Sequence, residues 1–196
     1  HMLRVKGNVA LVTARLKARP GLWDSCLVSG YPSEKKAGDR TRSSAFFPLW
    51  LLPEDSDEPR PNLAPDLLDQ TSKRLGFEPE PEALFAYFIA ILHSMSYRAR
   101  YDEQLNLGFP RIPIPPEAQL FRSLSQSGRR LLSAHILEDL SPNHGGLSPS
   151  PRCRFLDGGN REISPGRPRF LEGHGAIEIN EASRFDGISR AVWEFT

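Results

Sequence analysis

Arginine and lysine recur in the first fifty residues at spacings that suit an anionic partner. Arg15, Lys17 and Arg19 alternate along one stretch, and Lys35, Lys36, Arg40 and Arg42 crowd a second, "SEKKAGDRTRSS" at 33–44. Ammonium and guanidinium groups neutralise phosphates, and the arginine fork can also grip a guanine edge with two hydrogen bonds. Ser, Thr and Trp23 stand beside them and could adapt to other base edges. A further basic stretch, "RCRFLDGGNREISPGRPR", adds Arg152, Arg154, Arg167 and Arg169 as a secondary set. The competing reading of all these residues is a solvated basic face.

Other chemistries find little support. The chain has no G-x-S-x-G, Walker loop, H-E-x-x-H or G-x-G-x-x-G, so nucleophilic, phosphoryl-transfer, zinc-protease and dinucleotide sites lack their usual scaffolds. Cys26 and Cys153 form no C-x-x-C, which rules out a disulfide framework and a four-cysteine zinc site. Cys153 with His135, His144 and His174 matches no ligand spacing, so no metal is expected. His93 and His135 fall on apolar helical stripes and read as packing residues with satisfied rings. "DGGN" and "NHGG" read as glycine turns, and Asp66 after Pro65 as a carboxylate in a first helical turn. The chain is not expected to be an enzyme by itself.

The charge is unevenly spread. Residues 1–50 hold nine Lys/Arg against three Asp/Glu, whereas residues 51–105 hold five against eleven. Such asymmetry suits a basic face toward an anion and an acidic, solvated remainder. With 39% hydrophobic and 25% charged residues the composition is that of a soluble globular protein. No apolar run nears the roughly 18–20 residues of a membrane span, and no signal stretch leads the chain. A cytoplasmic location and a monomer are therefore expected. His1-Met2 has the look of a cloning remnant, leaving one domain over 3–196.

The elements that must carry the basic residues follow from periodicity. Strands are expected over 8–15, 24–30 and 45–53, with Pro48 marking an edge or bulge in the third. Helices follow over 64–76, closed by Gly76, over 78–94, opened by Pro81, and over 96–105. A long helix enters through Pro115-Pro116-Glu117 and runs to about 140 on a stripe of Leu120, Phe121, Leu124, Leu131, Leu132, Ile136 and Leu137. Gly128 interrupts it and marks either a kink or a close approach to another element. Strands return at 175–181 and 191–195. The organisation is strand-rich over 8–53, helical over 64–140, then loop and strands over 151–196. This order predicts an α+β fold, a small mixed or antiparallel sheet packed with a central helical section and long proline-rich loops.

Four stretches go further: "FFPLWLLP", "RPNLAPDLLDQ", "PEALFAYFIAILHSMSYRARYDEQLNLGFPRIPIP" and "INEASRFDGISRAVWEF". In this order, from about Asn8 onward, they resemble the C-terminal target-recognition region of type ISP restriction–modification enzymes. Related large adenine-specific DNA methyltransferases share it. The resemblance implies sequence-specific recognition of double-stranded DNA, with Arg15, Lys17, Arg19, Lys35, Lys36, Arg40 and Arg42 facing it. It also implies a methyltransferase domain of the same polypeptide as partner, with S-adenosylmethionine belonging to that domain and none to this chain. The methyltransferase's Asn/Asp-Pro-Pro-aromatic and glycine-rich motifs are absent here. "LHSMSYR" departs from the pattern, with Met95 where the family often has proline. The alternative function is a scaffold module whose helices dock the methyltransferase with little DNA contact. "FPRIPIPPEAQLF" then reads as a rigid internal strap, with Arg111 in a buried or helix-capping ion pair, the alternative being phosphate contact.

Overall fold

A computed structural model of the chain describes residues 4–15, 23–37, 43–136 and 154–194. They fall into two compact units, the first within residues 1–140 and the second within 141–196. Lys17, Arg19, Arg40, Arg42, Leu137, His144, Arg152 and Cys153 lie outside the described residues.

In the first unit β1 (Ala10–Ala14) sits between β2 (Leu27–Ser29) and β3 (Ser44–Pro48), both antiparallel to it. Pro48 closes β3, which is an edge strand where a missing N–H costs no ladder bond. The single strand expected over 45–53 is broken at Leu49. That residue is buried and its N–H bonds Val9 O at 2.8 Å, turning the chain into β4 (Trp50–Leu51). β4 pairs with β5 (Arg60–Pro61).

The helices begin and end as their punctuation dictates. α1 (Pro65–Leu75) starts on Pro65 and stops at Gly76, whose φ of 76° is left-handed. α2 (Pro81–His93) starts on Pro81 and buries Leu84, Ala86, Ile89 and Leu92 completely. The polar helix expected over 96–105 is instead two, α3 (Met95–Arg100) and α4 (Asp102–Leu107), parted at the non-helical Tyr101. α5 (Ala118–His135) follows Glu117, and its Leu120 is exposed rather than part of the buried stripe.

α2 and α5 meet at unusually close quarters. A β-carbon on Gly128 would lie 1.8 Å from Ala86 O of α2, so the glycine marks a close approach. Three residues earlier the Ser125 hydroxyl donates to Ala83 O at 2.9 Å. Toward the other end His135 Nε2 lies 3.0 Å from His93 Nε2, and His93 Nδ1 lies 2.9 Å from Ile89 O. A carbonyl only accepts, so His93 carries its proton on Nδ1 and its Nε2 accepts from His135. Burial pushes the pKa of both imidazoles below the usual 6.5, with Arg98 adding to the effect on His93.

The proline strap is fastened to this helical core. Tyr87 donates to Pro113 O and Tyr97 to Arg111 O, each at 2.9 Å, while Pro115 is fully buried. Ile112 packs against both apolar clusters of the unit. The rigid joint is therefore real, but Arg111 is exposed and makes no ion pair among the described residues. The strap turns its backbone carbonyls, not its one charged side chain, toward the core.

The second unit is a four-stranded antiparallel sheet in the order β6 (Arg154–Leu156), β9 (Arg184–Asp186), β8 (Ala176–Glu178), β7 (Arg169–Leu171). Only β8 falls within an expected strand, 175–181, where the alternation runs beyond the three paired residues. The strand expected at 191–195 is a one-turn helix, α6 (Arg190–Trp193). Ser189 caps it by accepting from Val192 N at 3.3 Å, and Val192 is exposed. Asn180 holds the base of the sheet. Its Nδ2 donates to Asn160 O and Glu162 O, and its Oδ1 accepts from Ala182 N and Ser183 N. Antiparallel sheets with segregated helices make the α+β architecture that the element order predicts.

Two outcomes test this packing. Gly128→Ala should destabilise the chain by about 1–3 kcal/mol in a denaturant titration, although alanine is normally the better helix former. Stability should also be highest at neutral pH and fall as pH drops below 6.5. The unfolded chain then takes up protons that the folded His93–His135 pair resists, and the loss levels off below the folded pKa values. His135→Gln should flatten that slope in the same titration repeated across pH.

Candidate nucleic-acid interface

Three of the seven primary basic residues are described, and they gather at one end of the β2-β1-β3 sheet. Arg15 follows directly on Ala14, which pairs with Ser44 at the start of β3. Ser44 N donates to Lys35 O at 2.7 Å. The backbones of Ala14, next to Arg15, and Lys35 are therefore joined through two adjacent pairings at this end of the sheet. Lys36 is next along a tight turn, where its N–H donates to Glu34 Oε2 at 2.7 Å and Ala37 N donates to Glu34 O at 3.1 Å. Arg15, Lys35 and Lys36 are all exposed and make no ion pair among the described residues.

The same sheet end is built without regular strand pairing on its other side. The β1–β2 ladder stops at Val12–Leu27. Beyond it side chains replace the backbone: Thr13 Oγ1 donates to Ser25 O at 2.5 Å, and Ala14 N donates to Ser25 Oγ at 2.8 Å. Thr13, Ala14 and Ser25 are nearly inaccessible, at 1%, 1% and 3% exposure. Trp23, expected beside the basic residues as a partner-facing group, is instead fully buried in the core under the Arg98 guanidinium. Its indole is too large and apolar to stay outside a sheet packed on helices, so it serves the fold.

The secondary arginines are placed differently. Arg167 and Arg169 both reach Glu178, each with Nε 2.6 Å from the same carboxylate oxygen. Those contacts, with the Arg169 hydrogen bond foremost, hold the Glu178 carboxyl below its ordinary pKa. Arg154 is exposed on the edge strand β6, opposite Asp186 of β9. Arg184 in turn pairs with Asp186 at 2.9 Å. Much of the basic character read in this part of the sequence is thus matched by carboxylates inside its own sheet.

Nothing described assembles a reaction centre. Burial pushes the Cys26 thiol up to about 12, so it stays protonated and inert beside His93. The paired histidines exchange their hydrogen bond with each other and with backbone, leaving no carboxylate to orient a base. Among the described residues no three His, Cys, Asp or Glu side chains come together to hold a metal ion. A shallow cleft of about 650 Å³ lies between 77–80 and α5. Its two arginines are engaged, Arg122 over the Phe77 ring at 5.1 Å and Arg129 with Glu80 at 3.5 Å. No described helix is long and apolar enough to cross a membrane.

Comparison with known proteins gives the family and the fold. The family model for the Type ISP C-terminal specificity domain matches residues 1–196. The cryo-EM structure of the DrdV–DNA complex superposes with a TM-score of 0.73 at 20% identity, over 97% of this chain and 19% of that one. The ATP-dependent Type ISP restriction-modification enzyme LlaBIII bound to DNA gives 0.64 at 16% identity, over 98% and 12%. A nuclease-deletion mutant of the Type ISP enzyme LlaGI, in complex with a DNA substrate mimic, gives 0.60 at 17%, over 96% and 13%. The chain thus spans less than a fifth of the length of these solved chains. Among curated proteins none matches.

Proposed function

The chain belongs to the Type ISP C-terminal specificity domain family, and from that membership we propose that it recognises a specific sequence in double-stranded DNA. The observation that carries the reading is the convergence of Arg15, Lys35 and Lys36, exposed and without ion partners among the described residues, on one end of a rigid sheet. Unpaired cations at a sheet end can meet phosphates while the neighbouring hydroxyl and amide groups approach base edges. Phosphate contact fixes register, and the loops leaving the sheet then discriminate the sequence. The sheet is anchored on buried helices, so the reading end is held as one body with the core.

Recognition of this kind serves a chemistry located elsewhere. We place this chain downstream of an N6-adenine DNA methyltransferase domain in a longer bacterial polypeptide, with endonuclease activity in the same protein as a further expectation. S-adenosylmethionine would belong to that other domain. The residues present here do not fit it, since the chain has neither the glycine-rich motif nor the Asn/Asp-Pro-Pro-aromatic motif. The role of this chain is to orient the catalytic domain on its target, and a cytoplasmic site of action follows from a DNA partner.

The test is binding to duplex DNA across a salt series. The wild-type chain should bind with a steep inverse dependence on salt. Replacing Arg15, Lys35 and Lys36 together by alanine should weaken binding and flatten the log–log slope by about 0.9 for each phosphate no longer neutralised. Full affinity and an unchanged slope in a folded triple variant would place the DNA on another face.

A further inference from the structure

At the basic end of the sheet, two buried hydroxyls take the place that strand pairing holds elsewhere. Register would continue the β1–β2 ladder from Val12–Leu27 to a pairing of Ala14 with Ser25. The backbones have instead separated, and the gap is bridged by the Thr13 and Ser25 side chains. Cys26 N bonds back to Asp24 O at 2.7 Å, so the chain makes a tight local turn just where it leaves the ladder. The other flank of β1 stays regular through Ala14–Ser44. The sheet end is therefore splayed on one side only, and among the described residues the splay is bridged by the Thr13 and Ser25 hydroxyls and the Ala14 N–H.

We propose that Thr13 and Ser25 are positioning residues for DNA sequence discrimination: their buried clasp fixes the splay and so the placement of Arg15 relative to Lys35. This rests on the DNA-recognition reading above. Neither hydroxyl can touch a base, since both residues are almost fully buried. Their action is indirect and geometric. Without the Ser25 hydroxyl, the buried Ala14 N–H has no acceptor, and a buried unsatisfied donor is relieved by movement of the backbone that carries it. That backbone runs straight into Arg15. The opposite strand β3 and its link to Lys35 would not move, so the two cations would fall out of mutual register rather than shift together. Attraction to phosphates tolerates such a change because it is long-ranged, whereas base hydrogen bonds do not.

The experiment separates these two kinds of binding. The full chain is used to enrich a duplex from a random library, and affinity is then measured for that duplex and for a shuffled version of it. Ser25→Ala and Thr13→Val should each lower the ratio of the two affinities by about tenfold, the size expected for one mismatched base pair. Affinity for the shuffled duplex and its salt slope should stay as in the wild type, and Ser25→Thr should restore part of the ratio. An unchanged ratio in a folded Ser25→Ala variant would overturn the clasp proposal while leaving DNA recognition standing. An equal fall for both duplexes would overturn it too, because it would assign the hydroxyls to stability alone. A wild-type chain that enriches nothing and shows no salt-dependent binding would remove the DNA reading itself.

Discussion

The first unit depends on how closely α5 can approach α2. Gly128 makes that approach possible, since any side chain there would overlap the Ala86 carbonyl. Small residues let two backbones touch, and the contact is then locked by Ser125 to Ala83 on one side and by the histidine pair on the other. The rest is arranged around this crossing. The outer side of α2 carries Phe85, Ile89 and Leu92 into the cluster that includes Trp23, Cys26 and Val28 from the sheet. Tyr87 and Tyr97 hold the proline strap in place, and the strap delivers the chain into α5. A sheet end can present cations in fixed register only if its other end is immobilised, and the helix pair supplies that anchor.

Arginine has two uses in this chain. In the first unit the Arg15, Lys35 and Lys36 side chains make no ion pair among the described residues. In the second unit Arg167, Arg169, Arg184 and Arg190 are tied to Glu178, Asp186, Glu172 and Glu194. A three-residue strand buries little apolar surface, so the cross-strand Arg169–Glu178 pair and the fully satisfied Asn180 help to fix the small sheet. Counting basic residues along the sequence treats the two units alike. Only the placement of carboxylates in the folded chain distinguishes them.

Legibility followed the length of each signal. α1 and α2 were legible because proline at the start, glycine at the end of α1 and a sustained 3.6-residue period all agreed. Gly128 was legible as an anomaly inside an otherwise good helix, and its two physical readings were narrowed by the position of Ala86. The short strands β6, β7 and β9 were not legible, since no alternation continues beyond their three residues as it does around β8 in "GAIEINE". "AVWEF" misled because three apolar residues in a row suit a strand, whereas Ser189 three positions before Val192 gave the helix-cap signal that decided it. Trp23 looked available because it follows the basic stretch of Arg15, Lys17 and Arg19, yet burial is set by the sheet-to-helix packing behind it. The Ser25–Thr13 clasp had no sequence signal at all: it arises from strand register, which no local pattern records.

What ties these observations together is a claim about direction: the chain meets DNA with the Arg15–Lys35 end of its three-stranded sheet. Site-specific photo-crosslinking tests it most directly. A photoreactive residue is placed at position 35 in one sample and at position 122, on the outer face of α5, in another, each bound to the enriched duplex. Adducts from position 35 and none from position 122 are the predicted result. Adducts from position 122 with none from position 35 would contradict the account and turn the molecule around on its DNA.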